Sequence, residues 1–359
     1  MTLPTLAAAG LRSAADSLVV DYMDVKPGEE VLITTDCAGD PQAVEAVFAS
    51  ALACGARPTI LTLPQLPFQG GLCDPFVPAT VAAAVERCSV WIDLTFPYMA
   101  GCAVHDEAMK SKRVRYLLGG DMGAGGLQRL FGSVDLDELQ TAFDRFVAVL
   151  GTREGARMRI TDPLGTDVTF TLGKAAYAKP RRAEKPGTYL VPGACTMFPE
   201  IESVRGTVVT EAGFHEQFTP FAAPVTIAVD GKIHSVSGGG ADRAVLDRAL
   251  RRAGGGDYGY VIHFTFALHP AACRTGRSFI EDSRVMGMNA VGLGLPWWVP
   301  GGGENHPDVV VGDQSIWVDN QPVIEAGRAV LPELVEASRF LRTKAEAALA
   351  GATAAGAGP

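Results

Sequence analysis

The stretch PGEEVLITTDCAGDPQAVEAVFASALACGARPTILTL, residues 27–63, decides the fold of the first half of the chain. A Pro-Gly turn precedes the apolar run at residues 31–35, which predicts a buried strand. A helix is predicted for residues 41–54, and a second apolar run at residues 58–63 predicts the next strand. Short apolar runs separated by helices are typical of a parallel sheet that is covered on both faces.

The same alternation continues further along the chain. The next elements that it predicts are a helix at 77–88, strands at 90–94 and 114–118, and a closing helix at 137–150. We therefore predict a doubly wound, Rossmann-like α/β domain with a parallel sheet over residues 1–152. None of the glycine clusters has the G-x-G-x-x-G or Walker spacing between a strand and a helix, so a nucleotide-binding fingerprint is absent from the sequence.

The pattern changes in the second half, where short strands alternate with Gly, Pro and Asp. Strands are predicted at residues 157–161, 167–172, 206–210 and 225–229. Asp230-Gly231 predicts a hairpin with a type I′ turn, and Asp319-Asn320 predicts a second hairpin. We predict a mixed, β-rich α+β domain with a barrel-like sheet over residues 153–345, and a flexible Ala/Gly-rich tail over residues 346–359.

Composition excludes several classes of function. The net charge of −9 argues against nucleic acid as the main partner, because phosphate binding needs clustered Lys and Arg. The sequence has no run of about 18 uncharged apolar residues, which argues against a membrane span. The seven cysteines are odd in number and form no CxxC pair, which is typical of reduced thiols. We predict a cytoplasmic protein without a nucleic-acid or membrane partner.

The sharpest local motif is His306-Pro307-Asp308. Residues i and i+2 of an extended segment point to the same face, so the imidazole and the carboxylate converge. His263, in a strand predicted at residues 260–268, is a candidate third ligand. Two histidines and one carboxylate form the facial triad of non-haem iron(II) enzymes, although zinc also accepts such ligands. The alternative interpretation is an ordinary loop at 306–308 and a structural strand residue at 263.

Three segments resemble a known superfamily. They are residues 206–239, the run HFTFALHP at 263–270, and NHPD at 305–308 followed by IWVDNQPV at 316–323. The superfamily holds the thermophilic-type leucyl aminopeptidases, which use two metals, and 2,5-dihydroxypyridine 5,6-dioxygenase, which opens a pyridine ring with a single iron(II). The resemblance covers most of the chain and is strongest over residues 160–330.

The ligand positions distinguish the two activities. Ala194 and Ala290 stand where the aminopeptidases have a glutamate and a histidine, and His263 replaces their second glutamate. Two divalent ions about 4 Å apart need several anionic ligands between them, so these replacements disfavour a two-metal site. The resemblance to the dioxygenase instead implies that His263, His306 and Asp308 bind one iron(II).

The same resemblance implies an acid/base histidine in the first domain, and His105, downstream of the strand that contains Asp93, is the candidate for this catalytic role. We predict two substrate contacts from the residues themselves. His269 follows the His263 strand, and Trp297 offers an indole face for stacking on an aromatic ring. Middle-segment histidines of the dioxygenase have no counterpart near residues 189–192, so the resemblance leaves the ring substrate open.

Together these features predict a mononuclear non-haem Fe(II)-dependent dioxygenase that cleaves a hydroxylated pyridine or a related small N-heteroaromatic with O₂. The substrate cavity is expected between the two halves, and the resemblance implies a homo-oligomer of at least two subunits. Two alternatives remain. The first is a leucyl aminopeptidase that binds two metal ions, and the second is a diverged small-molecule-binding protein that retains no iron.

Overall fold

A computed structural model of the protein describes residues 4–175, 182–296, 299, 302 and 306–356. The strands are, in chain order, β1 (Glu30–Asp36), β2 (Arg57–Leu63), β3 (Val90–Leu94), β4 (Arg115–Leu118), β5 (Arg157–Thr161), β6 (Asp167–Ala175), β7 (Gly187–Leu190), β8 (Ala194–Pro199), β9 (Arg205–Phe214), β10 (Phe218–Asp230), β11 (Lys232–Gly238), β12 (Tyr260–Ala267), β13 (Asn289–Gly294), β14 (Asp308–Val311), β15 (Ser315–Val318), β16 (Gln321–Glu325) and β17 (Arg328–Ala329).

The α-helices are α1 (Pro4–Asp16), α2 (Pro41–Ala53), α3 (Ala79–Val85), α4 (Ala103–Lys110), α5 (Ala124–Leu127), α6 (Leu136–Gly151), α7 (Asp242–Ala253), α8 (Phe279–Asp282), α9 (Pro332–Ser338) and α10 (Lys344–Gly356). Shorter or wider helical turns lie at Ser17–Tyr22, Gly70–Phe76, Gln128–Gly132 and Ile201–Ser203. None of the helices in the described ranges combines the length and the apolar character that crossing a lipid bilayer requires.

The first half forms a five-stranded parallel sheet in the order β2-β1-β3-β4-β7. The predicted α/β class and its parallel sheet are confirmed. However, β7 comes from beyond the boundary predicted at residue 152 and pairs with the outer edge of β4. Its four residues, GTYL, are too few to show a strand pattern in the sequence, but they cover backbone groups of β4 that would otherwise be unpaired.

The second half forms a closed barrel with extensions. Six antiparallel strands run in the order β9-β14-β13-β12-β8-β6, and β6 pairs with β9 to complete the ring. The strands β10 and β11 extend this sheet on one side, and β5, β15, β16 and β17 extend it on the other. This architecture confirms the predicted β-rich, barrel-like part of the molecule.

The two predicted hairpins form, but with different turns. Asp319 and Asn320 have φ angles of 48° and 67°, as a type I′ turn requires. At the other hairpin only Gly231 has a positive φ, so the predicted type I′ turn is wrong there. A β-bulge between Ala228 and Val229 shifts the register at that point, and it supplies the extra twist that a type I′ turn would otherwise give.

Most of the segment predicted as a tail lies in helix α10, which continues to Gly356. A reciprocal capping box begins this helix. The backbone N–H of Thr343 donates to Glu346 Oε2 at 2.7 Å, and the N–H of Glu346 donates to Thr343 Oγ1 at 3.2 Å. The many alanines that follow have the highest helix propensity of all residues, so the helix suits the composition of this segment.

Apolar side chains fill the barrel and also join it to the parallel sheet. Inside the barrel, the rings of Phe170 and Phe264 stack with centroids 4.5 Å apart. At the junction, Phe214 of β9 contacts Phe96 at 4.7 Å and Phe279 at 4.9 Å. Because Phe96 follows β3, the two sheets share one apolar cluster. This cluster packs the face of the barrel that contains β14 against the parallel sheet.

We predict that Phe170→Ala lowers the free energy of unfolding by about 3–5 kcal/mol, because it leaves a cavity beside Phe264. Urea denaturation monitored by circular dichroism measures the change. Phe76→Ala is the matched control, since Phe76 is 51% exposed and its truncation is expected to cost about 1 kcal/mol or less. Equal losses in the two variants would contradict the placement of Phe170 in the core.

Candidate metal centre and its cavity

The structure brings His263, His306 and Asp308 together. The Nε2 atoms of the two histidines are 3.3 Å apart, Asp308 Oδ1 is 3.4 Å from His263 Nε2, and Asp308 Oδ2 is 3.5 Å from His306 Nε2. Ligand distances of about 2.1 Å place the donors of one ion roughly 3.0–3.4 Å apart, depending on the angle. The triangle of donor atoms therefore fits one metal ion that all three residues contact.

Strand register explains why the three side chains converge. His263 of β12 lies opposite Gly292 of β13, and Gly292 lies opposite Asp308 of β14. A Cβ atom at position 292 would be 2.2 Å from His263 Nε2, so the imidazole occupies the space above this glycine. Sequence reasoning did not identify Gly292, although an isolated glycine inside a strand is a signal of close approach.

Neighbouring side chains orient the candidate ligands. Thr265 Oγ1 is 3.2 Å from His263 Nδ1 and 3.1 Å from Thr196 Oγ1, so the ring is held with Nε2 toward the other two residues. From the parallel-sheet half, the buried Gln69 donates through Nε2 to the carbonyl oxygen of His306 at 2.6 Å. Both halves of the molecule therefore position this site.

The three residues open into a cavity of about 470 Å³. The residues that line it come from the carboxyl ends of the parallel strands and from the facing barrel: Tyr98, Ala100, His105, Leu118, Thr188, Leu190, Ala194, Thr196, Thr265, Phe279, Arg284 and Ala290 are among them. A cleft at the carboxyl ends of parallel strands is the usual position of a ligand site in α/β proteins. The predicted location between the two halves agrees with this arrangement.

His105 lines the same cavity and is largely buried, at 8% exposure. It lies in the first turn of α4, where its Nδ1 is 3.1 Å from the backbone nitrogen of Gly101. Its Nε2 is 3.0 Å from Thr188 Oγ1, and the ring packs edge-on against Tyr116 with centroids 4.7 Å apart. The imidazole is therefore fixed in orientation while it faces the cavity.

Asp93, at the end of β3, anchors the loop that leads to His105. Its buried carboxylate accepts hydrogen bonds from the Thr34 hydroxyl, the Thr95 N–H and hydroxyl, the Met99 N–H and the Tyr116 hydroxyl. Burial raises the pKa of Asp93, and the hydrogen bonds from Thr95, Met99 and Tyr116 oppose this rise. The same contacts hold Tyr98 and Ala100 against the cavity, because both lie in the anchored loop.

His269 is placed differently from the prediction. It is fully buried, its Nε2 donates to the carbonyl of Leu130 at 3.0 Å, and its Nδ1 accepts from the N–H groups of Ala271 and Ala272. Burial lowers the pKa of His269 to about 4. Since β12 ends at Ala267, residue 269 leaves the face that carries His263, and the predicted substrate contact finds no support. Trp297, the other predicted contact, lies outside the described residues.

Alanine occupies two positions at which the aminopeptidases have metal ligands, and an alanine side chain cannot bind a second metal ion. Ala194 and Ala290 both line the cavity beside the three candidate ligands. Among the described residues, the group of possible ligands in this cavity consists of His263, His306 and Asp308. The fold therefore combines a parallel sheet, a closed barrel and, between them, a candidate three-residue site for one metal ion.

The sequence matches the profile of the family described as NicX, 2,5-dihydroxypyridine 5,6-dioxygenase, over residues 17–331. The chain belongs to this family, and the match supports a ring-cleaving dioxygenase over an aminopeptidase. A search of curated proteins found no match.

Two solved structures have the same fold. The 2,5-dihydroxypyridine dioxygenase from Pseudomonas putida KT2440 superposes with a TM-score of 0.70 at 18% identity, over 91% of this chain and 99% of that one. AmpT from Thermus thermophilus superposes with a TM-score of 0.62 at 14% identity, over 90% of this chain and 99% of that one. At such identities these likenesses establish the fold alone. The family match over residues 17–331 confirms the predicted dioxygenase family, and the two structures agree with the predicted fold.

We predict that Gly292→Ala weakens binding of a divalent metal by roughly tenfold or more, because the new methyl group displaces the His263 ring. Titration of the metal-free protein with Co²⁺, followed by its absorption spectrum, measures this affinity. Gly151→Ala is the control, since a Cβ at position 151 meets no atom within 4 Å. Unchanged Co²⁺ affinity in Gly292→Ala would show that the ring does not need this space.

Proposed function

We propose that the protein is a mononuclear non-haem iron(II)-dependent dioxygenase that cleaves a hydroxylated pyridine or a related small N-heteroaromatic. The observation that carries the proposal is the triangle of His263, His306 and Asp308 donors, at 3.3–3.5 Å, in a chain of this family. His263, His306 and Asp308 would hold the iron(II), which would supply the activation of O₂ and of the ring oxygen.

The cavity suits a single aromatic ring. Its apolar lining includes Leu118, Phe279 and Ala290, and Tyr98 adds an aromatic ring. These side chains exclude water from a planar substrate, while His263, His306 and Asp308 keep one end of the cavity polar. Contacts of the substrate ring with the apolar lining and with the polar end together fix its orientation. Fixing the orientation of the substrate is the main contribution that a protein makes to a reaction of this type.

In this proposal His105 takes up the proton of the ring hydroxyl. Asp106 Oδ1 lies 3.4 Å from His105 Nδ1. Its negative charge compensates the positive charge of the imidazolium once His105 has taken up the proton. The proton arrives at Nε2, so the reactive tautomer carries its own hydrogen on Nδ1, beside Asp106. The substrate hydroxyl replaces Thr188 Oγ1, which lies 3.0 Å from Nε2, as the partner of that nitrogen. Removal of the hydroxyl proton makes the ring electron-rich and therefore reactive toward oxygen.

Two further features of the protein are proposals. We propose a homo-oligomer of at least two subunits, and a cytoplasmic location that suits its free cysteines. The leucyl aminopeptidase alternative is less well supported, because Ala194 and Ala290 supply no ligand for a second ion. The alternative of a binding protein without catalytic activity predicts that iron is not retained.

Metal analysis and oxygen uptake test the proposal. The protein is purified anaerobically with ferrous iron, and O₂ consumption is recorded with 2,5-dihydroxypyridine. We expect one iron per chain, and His263→Ala is expected to lose iron and O₂ uptake while it keeps its circular dichroism spectrum. Two metal ions per chain with cleavage of leucyl p-nitroanilide would favour the aminopeptidase instead, and absence of retained iron would favour the binding protein.

His105→Asn tests the proposed base. We expect a decrease in kcat of about 10²–10⁴-fold with iron content unchanged, because the variant removes proton transfer but none of the candidate ligands. His234→Asn is the matched control, since His234 is exposed on β11, and its kcat is expected to equal that of the wild type. A normal kcat in His105→Asn would assign the proton transfer to another group.

A further inference from the structure

Arg284 is a buried cation in the wall of the cavity. Its side chain lines the cavity together with His105 and Asp308, and the residue is 8% exposed. Protein acceptors hold part of the guanidinium. Nε donates to the carbonyl of Val191 at 3.0 Å, and Nη1 donates to the carbonyl of Ile280 at 2.8 Å and to Ser283 Oγ at 2.7 Å.

Among the described residues, Arg284 forms no ion pair with a carboxylate within 4.0 Å. The three hydrogen bonds of Arg284 to described residues use Nε and Nη1. Its Nη2 group donates to no described acceptor. Burial lowers the pKa of Arg284 to about 10, and the charges of Asp121 and Asp308 act against this decrease from a distance. The guanidinium therefore stays protonated at neutral pH, where a buried charge without a partner is costly.

The surrounding backbone is shaped to hold this side chain. Gly193 precedes β8 with a φ of 131°, and a Cβ atom there would lie 3.0 Å from Arg284 Cγ and 3.0 Å from His269 Cβ. The buried His269 ring, held by Leu130, Ala271 and Ala272, forms the other side of the same slot. The direction of the guanidinium is therefore fixed by packing as well as by its three hydrogen bonds.

We propose that Arg284 binds, through its Nη2 group, an oxygen substituent of the substrate ring that carries a full or partial negative charge. This inference rests on the proposed function and narrows its substrate class to hydroxylated N-heteroaromatics that carry a second oxygen substituent of this kind. A carboxylate carries the full negative charge, and the carbonyl oxygen of a neutral pyridinone tautomer carries a partial one. A guanidinium is well suited to either, because its planar N–H donors form charge-assisted hydrogen bonds to such oxygens.

Binding of matched ligands tests the subsite without turnover. Isothermal titration of the iron-free protein compares 3-hydroxypyridine, which lacks the second oxygen, with 5-hydroxypyridine-2-carboxylate and with 2,5-dihydroxypyridine. We expect the wild type to bind the carboxylate roughly tenfold or more tightly than 3-hydroxypyridine, as a charge-assisted hydrogen bond implies. A similar preference for 2,5-dihydroxypyridine identifies the pyridinone oxygen as sufficient, and its absence identifies a carboxylate as the required group.

Variants assign this preference to one residue. Arg284→Gln is expected to remove the preference and to leave the affinity for 3-hydroxypyridine unchanged, whereas Arg284→Lys keeps part of it because the charge remains. Arg115→Gln is the matched control. Arg115 is equally buried, but it pairs with Glu29 on the parallel sheet outside the cavity, so this variant is expected to keep the full preference.

The outcomes separate this inference from the proposed reaction. The proposed role of Arg284 is overturned if Arg284→Gln keeps the full preference over 3-hydroxypyridine, or if the wild type shows no such preference. Either result counts whatever the O₂ assay gives. If Arg284→Gln does not fold, the wild-type comparison and Arg284→Lys still decide, since an unchanged preference in Arg284→Lys contradicts the dependence on guanidinium geometry. A preference that depends on Arg284, in a protein that consumes no O₂, supports the subsite and contradicts the proposed reaction.

Discussion

The candidate metal site depends on the absence of a side chain at Gly292 of β13, the strand between β12 and β14. Strands in a sheet lie about 4.8 Å apart, so β12 and β14 are separated by roughly 9.6 Å. His263 and Asp308 reach each other only because the imidazole leans across β13 at Gly292, where no side chain intervenes. The position of His306, two residues before Asp308, then follows from the direction of the extended backbone. A sheet of ordinary register thus produces a compact triangle of donors.

The parallel sheet completes what the barrel begins. Its strand ends supply the opposite wall of the cavity, and the buried Asp93 holds the loop from which the chain enters α4 and reaches His105. Gln69 also holds the main chain of His306 across the junction. The apolar contacts around Phe214 keep the two surfaces together, so the cavity is a property of their packing and not of either half alone.

The parts of the site that could be predicted from the sequence are those that depend on local geometry. The His-x-Asp spacing and the strand around His263 required only the alternation of an extended chain. The role of Gly292 depends on which strands are neighbours, and the burial of Arg284 depends on the junction of the two halves, so neither follows from local pattern. His269 was misplaced because β12 ends two residues earlier. The helix at the C-terminal end could have been predicted, since Thr343 and Glu346 have capping-box spacing.

The place of β7 in the chain has a consequence for biosynthesis. This strand completes the parallel sheet, yet it follows β5 and β6, which belong to the other sheet. During translation the edge of β4 stays without its partner until residues 187–190 leave the ribosome, and by then the first barrel strands have already been made. The two sheets therefore mature together, and neither can be finished as an independent unit before the other has started.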